Sequence, residues 1–406
     1  MSIVVVGIGA DGWAGLTDLA RRAVLSAEEV IGSDRQLAML PADCPPRRPL
    51  PSPLAPFLDS LPVAADRRVC ILASGDPMLH GIGSSLARRL GPRAIDSGQL
   101  TVISHPSALA LACARLGWPE AEVTLVSAVA EPISTVARVL QPGRLVIAYV
   151  TGTGGATQVA QALCARGFGA SELTVLEQLG GPGERIRRGV AGTWGTGEHD
   201  PLAVVAIRCL RDADGDTAIL PTVPGLPDDA YEHDGALTKR HVRAATLAAL
   251  APAPGALLWD IGAGSGSIGI EWLRAEPTAR AIAIEPSGER AARAARNAAA
   301  LGVPRLQIVN GDAPRALAGL DAPDAIFIGG GLSDGVLGAA WDALLAGGRL
   351  VANAVTAEGE RLLLDAASRH GGELVKLSVS HLEPLGSFTA WRPALPIVQW
   401  SASKPR

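Results

Sequence analysis

The run Leu257-Leu258-Trp259-Asp260-Ile261-Gly262-Ala263-Gly264-Ser265-Gly266-Ser267-Ile268-Gly269-Ile270-Glu271-Trp272 reads as a strand, a glycine loop and a helix. Ala256 to Ile261 is apolar except for Asp260, which suits a parallel strand buried on both faces. Gly262, Gly264 and Gly266, with Ala263 and Ser265 between them, let the backbone turn tightly and come within contact distance of a ligand. The helix that begins near Ser267 points the positive end of its dipole into the same loop. Such a unit fits a nucleotide, a dinucleotide or S-adenosylmethionine alike. A branched side chain in the loop, as in Gly264→Val, is expected to block the ligand.

Downstream, the strand Ala279 to Ile284 ends in Glu285, about 20 residues beyond the glycines, the spacing at which a carboxylate accepts both hydrogen bonds of a ribose diol. The strand Leu306 to Val309 ends in Asn310-Gly311-Asp312-Ala313, which places a carboxylate within reach of an adenine amino group. A strand over 324–328 runs into Gly329-Gly330-Gly331, and Gly347-Gly348 turns the chain into a fifth strand. A dehydrogenase wants glycine where Ser267 stands in Gly-x-Gly-x-x-Gly, so the set as a whole resembles a class I S-adenosylmethionine methyltransferase with a Rossmann-like sheet. The triple glycine lacks the Asn/Asp-Pro-Pro-aromatic run usual in enzymes that methylate a flipped-out base, and leaves room for a large flat substrate instead. Nucleic acid is not expected as a partner. The balance of 36 basic and 40 acidic residues offers no general field for it either.

Upstream, Thr238 precedes an alanine-rich helix over 239–250, and reads either as its N-cap or as a hydroxyl facing the ligand. Arg211 to Asp216 with Pro221, Pro224 and Pro227 is charged and proline-punctuated, which makes 212–228 the expected linker. At 406 residues the chain exceeds one core, given about 150 residues per domain. Five scattered cysteines show no Cys-x-x-Cys pair, so reduced thiols are expected and neither a disulfide framework nor a metal site. The first strand flows from Ser2 directly into a glycine turn, unlike a signal peptide, and no stretch has the roughly 20 apolar residues of a membrane span. The expectation is a cytoplasmic protein that does not enter membranes.

The first half repeats the strand-loop pattern three times. Ile3 to Val6 ends in Gly7-Ile8-Gly9, Val69 to Ala73 in Ser74-Gly75-Asp76-Pro77, and Leu100 to Ile103 in His105-Pro106-Ser107-Ala108, while Pro41 to Pro62 reads as an extended surface excursion. Strands at 123–126, 145–150, 173–176 and 202–209 with a helix over 156–166 form a second lobe, and one of its turns is Glu177-Gln178-Leu179-Gly180-Gly181-Pro182. In this order the motifs resemble the tetrapyrrole (corrin and sirohaem) methyltransferases. The resemblance implies two α/β lobes, about 1–104 and 120–211, that clamp S-adenosyl-L-methionine at Gly7, Gly9, Ser74, Gly75, Asp76, Pro106, Ser107 and Ala108. Two departures stand out: Ser127-Ala128-Val129-Ala130-Glu131 where relatives usually carry Ser-Leu-His-Gly-Arg, and His105 where serine is common.

The fusion of 1–211 to 229–406 resembles the bifunctional corrin-ring methyltransferases of cobalamin biosynthesis, with Thr238-Lys239-Arg240, Gly311-Asp312-Ala313-Pro314 and Trp391-Arg392-Pro393 carrying the likeness. It implies two S-adenosyl-L-methionine sites per chain, methylation of a precorrin at C5 by the first half and at C15 by the second, and loss of the C12 acetate carboxyl to give precorrin-8. Thr238, Gly262, Ala263, Gly264, Ser265, Gly266, Glu285, Asp312, Ala313 and Gly329 are then the donor contacts of the second half. Lys239, Arg240, Arg243 and Arg392 are candidates for the acidic arms of the ring, Gly330 and Gly331 for its flat face, and His381 and Glu383 for the proton donor. A homo-oligomer is expected, with a tetramer through the C-terminal domain in view. A chain active only in its second half, a cobalt-precorrin substrate and a tetrapyrrole carrier are the open alternatives.

Overall fold

Short apolar runs form the central strands of each sheet, because a parallel strand covered on both faces needs no polar alternation. The computed structural model describes residues 2–61, 67–213 and 219–406. Pro62 of the proline-rich stretch and 214–218 of the expected linker lie outside them. The chain divides into two units, Met1–Ile133 with Pro142–Gly215, and Ser134–Gln141 with Asp216–Arg406.

In the first unit β1 (Ser2–Ile8), β2 (Glu29–Gly32), β3 (Arg47–Pro49), β4 (Arg68–Ser74) and β5 (Leu100–Ile103) form a parallel sheet in the order β3-β2-β4-β1-β5. The register pairs Gly7 with Ala73 and Ile8 with Ser74, so the first two glycine loops leave the same sheet edge side by side. A second sheet, β6-β7-β10-β8-β9, is built from β6 (Val123–Ser127), β7 (Leu145–Tyr149), β8 (Glu172–Glu177), β9 (Arg185–Val190) and β10 (Ala203–Arg208). Only β6 and β7 run parallel in it.

The second unit holds β11 (Leu257–Ile261), β12 (Arg280–Glu285), β13 (Gln307–Asn310), β14 (Ala325–Ile328), β15 (Arg349–Ala354), β16 (Glu373–Leu377) and β19 (Ile397–Ser403) in the order β13-β12-β11-β14-β15-β19-β16. The first five are parallel, and β19 is antiparallel to both its neighbours. Strand order reverses between β11 and β14, and an open sheet binds its ligand outside the carboxyl ends at such a point. A separate antiparallel hairpin, β17 (Ser380–Leu385) and β18 (Phe388–Pro393), is inserted before β19.

Three features differ from the sequence reading. The proline-rich stretch contains a helix, Leu54–Ser60, which tolerates Pro56 because a first-turn N–H has no helical partner to lose. The stretch 185–190, not among the strands expected from the sequence, is an edge strand carrying Arg185, Arg187 and Arg188, a charge pattern that discourages further pairing. The expected linker ends early: Leu226 is 1% exposed and joins the second unit's core with Leu247, Leu258 and Trp272. The described cysteines are free, and burial pushes the Cys70 thiol up to about 12. Among the described residues no helix is long and apolar enough to cross a membrane.

Candidate ligand cavities at the two sheet edges

A cavity of about 390 Å³ opens at the carboxyl edge of the first sheet, lined by Ile8, Gly9, Ser74, Gly75, Asp76, Pro106, Ser107 and Ala108 among others. Gly7 is not in its wall. A Cβ there would collide with the Gly75 carbonyl oxygen, so Gly7 lets the first two loops touch, and one at Gly9 would lie 2.5 Å from His105 Nε2. Asp76 Oδ1 accepts from Met78 N (2.8 Å), which closes its loop. Ser107 is the N-cap of the helix Ala108–Leu116, accepting from Ala110 N at 3.0 Å. Tyr149, from the second sheet, reaches the same wall, and its hydroxyl accepts from Leu109 N at 3.0 Å. Burial raises this phenol above its ordinary value, opposed by the Leu109 N–H.

A cavity of about 600 Å³ lies at the carboxyl edge of β11, β12, β13 and β14. Thr238, Lys239, Gly262, Ala263, Gly264, Glu285, Asp312, Ala313, Gly329, Gly330 and Gly331 line it, as the sequence reading placed them together. Glu285 is 3% exposed, and its carboxylate accepts Gly264 N (2.8 Å) on one oxygen and Ser287 N (3.0 Å) on the other. Each oxygen keeps a lone pair for a further donor. The strap over 231–239 is tied to the helix Gly288–Ala300 by Glu232–Arg296 and by Asp234, which meets Arg290 and Arg293. The hydrogen bond from Arg290, helped by the Ala236 N–H and Arg293, holds the Asp234 carboxyl well below its usual range.

The structure places several of the residues named from sequence away from the cavity wall. Ser265 and Gly266 shape the loop but are absent from the cavity wall: Ser265 is buried, and Gly266 turns at φ +77° against Ala294. Thr238 is not the N-cap, since the helix Arg240–Leu250 starts from Lys239, and its carbonyl accepts from Arg243 instead. Arg243 cannot meet a substrate acid: it is fully buried on Glu271 (2.5 Å), Asp228 (3.1 Å) and the carbonyl of Leu226. Arg240 is outside the wall. His381, Glu383 and Arg392 sit on the β17–β18 hairpin, also outside it. Glu383 pairs with Arg392 at 3.2 Å, and the exposed His381 faces the His241 ring at 5.9 Å.

The sequence reading missed Arg35 in the first cavity, and Arg290 and Asn353 in the second. Asn353 had no local signal. It is fixed by Thr246 (3.0 Å) and Gln399 (3.0 Å), residues from two other elements, and that triangle exists only after β15 and β19 pair.

At the root of the glycine loop Asp260 is 1% exposed, with Oδ2 accepting Gly269 N (2.9 Å) and Oδ1 unpartnered. Burial pushes its carboxyl up to about 7; the Glu285 charge adds to the rise and the Gly269 N–H opposes it. A carboxyl raised on folding binds more protons folded than unfolded. Its contribution to stability is therefore full below about pH 4 and is lost as pH rises to about 7. Denaturation of wild type and Asp260→Asn across that window is expected to show a flatter pH slope in the variant. Equal slopes would contradict a protonated Asp260.

Two α/β units, one with a pair of sheets around a loop-lined cavity and one with a seven-stranded sheet ordered 3-2-1-4-5-7-6, are methyltransferase-type folds in tandem. Residues 2–195 match the family Tetrapyrrole (Corrin/Porphyrin) Methylases, and residues 229–404 match the Precorrin methyltransferase domain. Over 406 residues the chain is 47% identical to the precorrin-6Y C(5,15)-methyltransferase [decarboxylating] of Sinorhizobium sp, with 99% of this chain and 96% of that one covered. The protein of the same name from Mycobacterium tuberculosis is 45% identical over 410 residues, with 99% and 100% covered. A crystal structure of the C-terminal domain of precorrin-6Y C5,15-methyltransferase from Rhodobacter capsulatus is 47% identical and covers 46% of this chain and 100% of that one, at TM-score 0.44. This chain belongs to the precorrin-6Y C(5,15)-methyltransferase (decarboxylating) family of cobalamin biosynthesis.

Proposed function

We propose that both units bind S-adenosyl-L-methionine and act on one precorrin, the first methylating C5 and the second methylating C15 and releasing the C12 acetate carboxyl as carbon dioxide. The observation that carries this is the pair of cavities, each at the carboxyl edge of a run of parallel strands and each walled by glycine loops. In the second unit the residues fit the donor. Glu285 retains lone pairs for a ribose diol, Asp312 lies in the same wall, and Gly262 has no room for a side chain of its own. The donor supplies an electrophilic methyl group, which an enamine-like ring carbon can attack without a protein nucleophile. The chain's task is then to hold the partners in line and exclude water. Gly329, Gly330 and Gly331 leave a flat approach for the ring, and Lys239 and Arg290 supply positive charge at the rim for its acidic arms.

Calorimetry with full-length protein is expected to give two donor molecules per chain, and product analysis by mass two added methyls with one carbon dioxide lost. One donor per chain would remove the two-site reading. Because the full-length relatives are named for precorrin, the metal-free ring is taken as substrate. Faster turnover of a cobalt-loaded ring would reverse that choice.

The oligomer is proposed to form through the β17–β18 hairpin. Leu385 and Phe388 are paired across the strands, as are Leu382 and Trp391, and all four are exposed, Phe388 by 77% and Trp391 by 70%. Apolar surface of this kind on a projecting hairpin favours a second copy as its cover. Sedimentation should report an assembly that Phe388→Ser/Trp391→Ser reduces to monomer. A wild-type monomer would end the proposal.

A further inference from the structure

Arg35 is the only cationic side chain among the described residues that line the first unit's cavity. It follows β2 in the helix Asp34–Ala38, whose Ser33–Gln36 capping box fixes the start of that short segment. Arg35 Nη2 donates to Ser74 Oγ at 3.0 Å, and the buried Gln36 donates to the same oxygen through Nε2 at 3.1 Å. Ser74 ends β4 beside Gly75 and Asp76, so the guanidinium is moored to the lip of the second glycine loop with most of its N–H donors uncommitted. Partial burial works against its charge and lowers its basicity, with Asp200 opposing. That carboxylate is already engaged by Gln178 Nε2 (2.9 Å) and Leu202 N (2.7 Å). A partly buried, under-compensated guanidinium in a largely apolar wall gains from a carboxylate brought to it by a ligand.

We infer that Arg35 receives an acetate or propionate carboxylate of the tetrapyrrole in the first unit, and so sets which ring edge is presented to the methyl donor there. The inference rests on the reading of this cavity as the C5-methylating site. A carboxylate could also come from the donor's amino-acid end, and the ring is preferred because it carries many acidic arms while this wall holds one cation.

The test uses full-length protein with Arg35→Met and Arg35→Lys, metal-free precorrin, and donor in excess. Arg35→Met is expected to bind two donors per chain with wild-type affinity. It should accumulate ring that has lost carbon dioxide and gained the C15 methyl but lacks the C5 methyl. Its KM for the C5 step should rise about 10- to 100-fold, the scale of one lost charge-assisted contact. Arg35→Lys, a point charge without the planar fork, should lie between the two. Thermal denaturation matching wild type shows that the variants are folded, and an unfolded Arg35→Met leaves the decision to Arg35→Lys. A fall to one donor per chain would assign Arg35 to the donor carboxylate and overturn the inference, as would unchanged C5 methylation at low precorrin. Wild type that adds no C5 methyl would instead remove the underlying reading of the cavity.

Discussion

Gly262→Ala is expected to abolish donor binding in the second unit while leaving the first unit's site intact, so that calorimetric stoichiometry falls from two to one. Gly262 has φ +71°, and a Cβ built on it would lie 2.6 Å from both the nitrogen and Cα of Gly330 and 2.7 Å from its carbonyl oxygen. These are backbone atoms, and they cannot swing aside. The ends of β11 and β14 are held together there by Gly329 N donating to Ile261 O at 2.9 Å. Left-handed backbone at a non-glycine costs about 1–3 kcal/mol, and overpacking adds about 1–3 kcal/mol. The loop must therefore open, and it opens into the cavity. Gly264 offers a contrast. It turns at φ +58°, but a Cβ there meets only the Ala236 carbonyl, at 3.3 Å. Gly264→Ala should thus weaken donor binding less than Gly262→Ala, and the opposite order would show that the loop approaches its ligand elsewhere. Sequence alone put the sensitive position at Gly264; the approach of Gly330 moves it to Gly262.

Arg243→Met should destabilise the second unit by about 3–5 kcal/mol, the usual cost of stranding one partner of a buried ion pair. Glu271 is 2% exposed and accepts from Gly225 N (2.5 Å), Leu226 N (3.0 Å), Tyr231 Oη (2.8 Å) and Arg243 Nε (2.5 Å). Arg243 in turn lies over the Tyr231 ring at 4.8 Å and binds the carbonyls of Leu226 and Thr238. This cluster fastens 225–238 to the helix that follows the glycine loop, and Thr238 and Lys239 enter the cavity wall from that segment. A simple buried pair can often be replaced by two apolar residues without loss. Here Arg243→Met/Glu271→Leu should recover nothing, because it also orphans two backbone N–H groups and the Tyr231 hydroxyl, each at about 1–3 kcal/mol. Chemical denaturation of the single and double variants reads this directly. A double variant as stable as wild type would mean that the cluster is an ordinary ion pair.

Much of the fold was legible because it follows from local rules. Apolar runs ending in glycine announced β1, β4, β11 and β14, and the distance from Gly264 to Glu285 placed a carboxylate at the end of β12. The basic residues were not legible in this way. Lys239, Arg240 and Arg243 look alike in the sequence, yet one lines the cavity, one lies outside its wall and one is buried on Glu271. Nothing within a few residues distinguishes them, because burial of Arg243 depends on a carboxylate 28 positions away. His381, Glu383 and Arg392 lie outside the cavity wall for a related reason. Their side chains follow a hairpin whose placement is set by its pairing, and Glu383 and Arg392 satisfy each other there.

By itself the sequence determined the two α/β folds, the loops that end their strands and the carboxylates that follow β12 and β13, since strand burial, glycine turns and strand-to-strand spacing are encoded within a few tens of residues. Only the tertiary structure decided which polar and charged side chains face the cavities. Arg35 gains its setting from Ser74, and Asn353 from Thr246 and Gln399. Arg243 loses its availability to Glu271. Whether a charge is buried or offered to a ligand depends on partners that folding brings from elsewhere in the chain, because the cost of desolvating it is met by those partners and not by its sequence neighbours.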